Sequence, residues 1–69
     1  MNPIAVESTT LTTVAYDADR KLLLLHFQDQ STYQYFEVSV EVYEALLRTS
    51  SKGGFFNRVI RGRYVYART

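Results

Sequence analysis

Apolar and polar positions follow one period through the first half of the chain and another after it. The run from Ser8 to Tyr16 is rich in β-branched residues and predicts a strand over residues 11–16. Residues 21–27 predict a second strand and residues 32–38 a third. The breaks between them, at residues 17–20 and 28–31, are short and polar, and their aspartates can close turns on their own backbone. Three consecutive strands joined this closely make an antiparallel meander. Alternation in the second strand puts Leu23, Leu25 and Phe27 on one face, the predicted core face. Leu22, Leu24 and His26 fall on the other, so Leu22 and Leu24 are expected outside, under the chain ends or against a partner.

The period changes after Val38. Val40, Val42, Tyr43, Leu46 and Leu47 share one arc at helical spacing, while Glu41, Glu44 and Arg48 share the opposite arc. Ser39 is placed to cap a helix over Val40–Arg48, and Glu44 pairs with Arg48 one turn on. Residues 55–61 are again helical, with Phe55, Phe56, Val59 and Ile60 on one side and Asn57, Arg58 and Arg61 on the other. Gly62 is suited to stop this helix in a left-handed conformation. Residues 63–67 alternate and predict a short last strand at the sheet edge. The order is β-β-β-α-α-β, an α+β fold in a single domain over residues 1–69, with the helices on one face of the sheet.

Charge sharpens this picture. Residues 1–47 carry seven carboxylates against two bases, whereas residues 48–69 carry six bases and no acid. Such asymmetry points to a nucleic acid or another acidic surface. The alternative is that the basic end lies against the acidic start and is neutralised there. With 69 residues and a 46% apolar composition, most aromatic residues are needed for the core. No apolar run approaches a membrane span, and the first residues lack the basic and apolar regions of a signal peptide. A cytoplasmic protein is the expectation.

Catalysis finds little support. The one histidine, His26, lies mid-strand with no nucleophile at a useful spacing, and there is no cysteine, no Gly-rich fingerprint and no metal-ligand spacing. The reading is therefore not an enzyme, with no metal and no cofactor. Two features fit binding. Tyr33 and Tyr35 are two apart on a strand and project from one face, either to pack under a helix or to stack bases. The segment Ser50-Ser51-Lys52-Gly53-Gly54 precedes a helix with no acid near it in sequence, a turn that also suits a phosphate.

The series Tyr33-Gln34-Tyr35-Phe36, Ser51-Lys52-Gly53, Phe56-Asn57, Ile60-Arg61 and Tyr64, in that order and flanked by Tyr16-Asp17 and Arg68, resembles the KTSC domain. That small bacterial domain is named for its place at the C-terminus of some lysyl-tRNA synthetases, and it also occurs alone. The resemblance covers roughly residues 6–68. It departs at Ser39, where proline is common, and at residues 28–30, which replace a turn that usually carries glycine. The family's function is not established, and the resemblance implies RNA as a partner only through attachment to a synthetase. The expected function is a non-catalytic module that binds RNA or another phosphate polymer. Its candidate contacts are Tyr33, Tyr35, Lys52, Asn57, Arg58, Arg61, Arg63 and Arg68. The alternative is a protein-interaction or homodimer module that uses an exposed sheet face or edge.

Overall fold

The computed structural model describes residues 2–69. Five strands, β1 (Ile4–Ala5), β2 (Leu11–Asp17), β3 (Leu22–Phe27), β4 (Thr32–Tyr35) and β5 (Tyr66–Arg68), form one antiparallel sheet in sequence order. Helix α1 (Val40–Arg48) and a shorter helix α2 (Lys52–Phe55) stand between β4 and β5. α2 runs on into a π-helical segment (Phe56–Ile60), closed by the Arg61 amide donating to the Phe56 carbonyl at 2.8 Å. The α+β class holds, with four strands before the helices where three are legible in the sequence. β1 has only two residues, too few to display a period.

The meander turns are built as their residues require. Asp17 Oδ1 accepts from the Asp19 and Arg20 amides. Asp29 Oδ1 accepts from the Ser31 amide at 3.0 Å and the Ser31 hydroxyl at 2.5 Å. Gln30 between them takes φ 76°, the left-handed position that closes a three-residue hairpin loop. The third strand ends at Tyr35, three residues earlier than predicted. Glu37 there turns left-handed at φ 59°, and the Val38 amide is taken by the Lys21 carbonyl.

Ser39 caps α1 by accepting from the Val42 amide. α1 buries Leu46 completely, and its Tyr43 stacks on Tyr16 of β2 with centroids 4.7 Å apart. The second helical stretch begins at Lys52, not at residue 55, because Ser51 supplies the cap for the Gly54 amide. Gly62 ends it at φ 77°, as predicted. Leu11, Val14, Leu23, Leu25, Val38, Phe56 and Ile60 fill the core between the sheet and the helices.

Leu23 and Leu25 face that core as expected; of the two leucines on the other face, Leu22 is covered, only 9% exposed, and Leu24 is half-buried. Among the described residues no helix is long and apolar enough to cross a membrane.

Candidate nucleic-acid interface

Strand register determines which side chains meet at the open end of the core. Tyr33 pairs with Leu25 on one side and Arg68 on the other, and Tyr35 pairs with Leu23 and Tyr66. Directly opposed residues in an antiparallel ladder share a face. Tyr66 and Arg68 therefore continue the helix-covered face onto β5, where neither helix shelters them and both are exposed. The result is an open cleft of about 470 Å³ with an aromatic floor and walls.

Its aromatic rings support one another. Phe56, from the π segment, meets Phe27 at 5.2 Å and Tyr35 at 5.8 Å, both edge-on. Tyr33 lies 5.6 Å from Tyr66 and 6.3 Å from Tyr35. The tyrosines divide by exposure. Tyr35, 5% exposed, is packed into the floor, and burial raises its hydroxyl pKa above the usual value, helped by Tyr33 and Tyr66 and opposed by Arg61. Tyr33 is half-buried and Tyr66 is 58% exposed, so these two offer ring surface to a ligand.

Arg61 lines the cleft from the helix side, and the Arg68 guanidinium lies 5.8 Å from the Tyr33 ring centroid. Neither forms an ion pair with a carboxylate. Among the described residues the single ion pair joins Arg20 to Asp17 at 3.8 Å. The basic end of the chain is thus not neutralised by direct pairing with the acidic start. Asp29, on the cleft wall beside Ser31, is the one acid at this site. Its two hydrogen bonds from Ser31 hold its carboxyl below the usual aspartate range, with Arg68 adding to the effect.

The remaining sequence candidates lie elsewhere. Lys52 turns its ammonium back onto the end of α1, donating to the Thr49 carbonyl at 2.8 Å and the Leu47 carbonyl at 3.4 Å. Arg58 folds over Gly54, its Nη1 3.0 Å from where a Cβ would stand. Asn57 is exposed and its Oδ1 accepts from Arg61 Nη1 at 3.5 Å, so it positions the cleft arginine. Arg63 is exposed in the turn that follows Gly62.

The Ser50–Gly54 turn does line a second, polar cleft of about 710 Å³, but the fold brings Glu7 into the same wall. With its lysine ammonium held on α1 carbonyls, its Gly54 amide capped and Glu7 in the lining, that turn is poorly furnished for an anion. The sequence reading missed Tyr66 and Asp29. The alternation from Arg63 to Ala67 carried the signal for Tyr66. The place of Asp29 depends on β5 docking beside β4.

A small antiparallel sheet covered on one face by two helices, with an aromatic and arginine-lined cleft where that cover stops, defines the architectural class. Residues 7–64 match the family model of the KTSC domain, and the chain belongs to that family. The crystal structure of a KTSC domain protein from Yersinia pestis superposes with a TM-score of 0.96 at 31% identity, over 99% of this chain and 96% of that one. A protein of Tsukamurella paurometabola is 37% identical over 86% of this chain and 88% of its own length. A lysine–tRNA ligase of Trichormus variabilis is 35% identical over 74% of this chain, which corresponds to 9% of the ligase.

Proposed function

We propose that this domain binds single-stranded RNA without catalysing a reaction on it, with bases against Tyr33 and Tyr66 and phosphates against Arg61 and Arg68. The observation that carries the reading is the pairing of exposed aromatic rings with arginines that no carboxylate holds. Stacking on aromatics and neutralising the backbone are the two elements of single-strand binding. The presence of similar sequence within lysine–tRNA ligases, whose name places them on tRNA, supports the same reading.

Two arginines on a single strand give a salt slope of roughly −1.4 in log–log terms. Raising salt from about 50 to about 200 mM then weakens binding roughly seven-fold, with a dissociation constant of about 10⁻⁴ to 10⁻⁶ M at physiological salt. Titrating single-stranded RNA at both concentrations, with polyglutamate as a charge-matched competitor, tests this. Absence of binding at low salt, binding indifferent to salt, or equal affinity for polyglutamate contradicts it.

A second reading, self-association, has one observation in its favour. β5 is an edge strand, and Val65 beside it is 75% exposed. Light scattering across a concentration series decides it: a strict monomer removes the idea.

A further inference from the structure

The aromatic cleft contains a carboxylate, which is a liability for a site that only tracks phosphates. Asp29 Oδ1 is occupied by the Ser31 amide and hydroxyl, which accounts for the turn. Oδ2 has no such duty. It belongs to a side chain that lines the cleft at the β4 entrance, on the same wall as Ser31 and within the field of Arg68. Arg61 and Gly62 line the same cleft, with Arg61 close enough to Tyr35 to act on its hydroxyl. A volume of about 470 Å³ falls within the roughly 300–1,000 Å³ typical of small-ligand sites, enough for one unstacked nucleotide.

Resting on the RNA reading above, we propose that this cleft reads one unpaired base and selects guanine. The ring lies against Tyr66 and Tyr33, and the Asp29 carboxylate accepts from the base edge. An ionised carboxylate is acceptor-only. Guanine is the one base of the four with two adjacent N–H donors, N1–H and N2–H₂, on its pairing edge. Adenine and cytosine each set a ring-nitrogen lone pair beside their single amino group, and uracil flanks its one N–H with two carbonyls. The free Oδ2 can accept from both guanine donors at once, whereas every alternative offers it one donor with an acceptor alongside. Arg61 in the lining and Arg68 over the Tyr33 ring are available for the phosphates that flank the held nucleotide.

Because Asp29 is exposed, discrimination belongs at the low end of what a good base contact provides, roughly three- to ten-fold. The test is fluorescence anisotropy at low salt with four labelled uridine-rich pentamers that differ only in the central base. Wild type is expected to bind the guanine pentamer roughly three- to ten-fold tighter than the adenine one. Asp29→Asn retains an oxygen for Ser31 and replaces the free oxygen with a donor. It is expected to abolish or invert that ratio without weakening overall affinity, since a negative charge leaves the cleft.

Equal wild-type affinity for all four pentamers overturns guanine selection and leaves RNA binding standing. That comparison needs no variant, so it holds even if Asp29→Asn folds poorly. An unchanged ratio in a folded Asp29→Asn assigns any preference to another group and also overturns the proposal. Failure of every pentamer to bind overturns the RNA reading, and this inference with it.

Discussion

Single residues here are constrained by what opposes them. A Cβ on Gly53 would collide with the Thr10 hydroxyl and stand 3.2 Å from Thr10 Cβ, so the β1–β2 loop seats directly on α2. Gly53→Ala is expected to cost about 1–3 kcal/mol in denaturant unfolding, and adding Thr10→Ala to recover part of it. Full additivity of the two losses would show that the residues do not meet. Tyr35 supports a pH prediction. Its hydroxyl pKa is raised by burial, so the unfolded chain ionises first as pH climbs past the ordinary tyrosine value of about 10. Its contribution is present below that value and is lost as pH rises toward the folded one. Tyr35→Phe should therefore flatten the alkaline decline of the melting temperature, and an unchanged alkaline limb would contradict the burial argument. Burial of Tyr35 was one of the two readings its alternation allowed, whereas the meeting of Gly53 with Thr10 joins residues far apart in the chain and was not legible in the sequence.

Elements were legible where their period ran long enough. α1 occupies the predicted residues because nine positions carry a clear apolar arc and Ser39 caps them. Ser39→Ala should cost about 1 kcal/mol in urea unfolding. The second helix was placed three residues late, because Ser51-Lys52-Gly53-Gly54 reads as a loop until Ser51 is seen accepting from Gly54. The β3–β4 loop explains one departure from the family pattern. Gln30 holds the left-handed conformation that favours glycine, in the turn where the resemblance leads one to expect a glycine. Replacing it, Gln30→Gly, is expected to raise stability by up to about 1 kcal/mol, as relief of a left-handed side chain exceeds the added chain entropy. A loss of stability would mean that the Gln30 side chain contributes contacts of its own.

For the whole molecule, the split of charge between the two halves was visible in the sequence, but its spatial arrangement was not. The basic segment does not form one uniform patch. Arg61 and Arg68 border the aromatic cleft, Arg58 lies over Gly54, and Lys52 is spent on α1 carbonyls. Of the eight sequence candidates, the fold gathers Tyr33, Tyr35, Arg61 and Arg68, and adds Tyr66 and Asp29 to them. Removing Arg61 and Arg68 together by Gln substitution should reduce the salt slope of RNA binding by about 1.4, whereas Lys52→Gln should lower stability and leave the slope in place. Similar slopes in both variants would mean that net charge alone drives binding.

Mapping amide and aromatic-ring NMR shifts while single-stranded RNA is added tests the location of the site most directly. The account predicts that signals of Tyr33, Tyr66, Arg61 and Arg68 move together and saturate, while those of Ser8–Thr10 and Ser51–Gly54 stay still. Shifts confined to the polar cleft around Gly53, or spread evenly over every exposed cation, would contradict it.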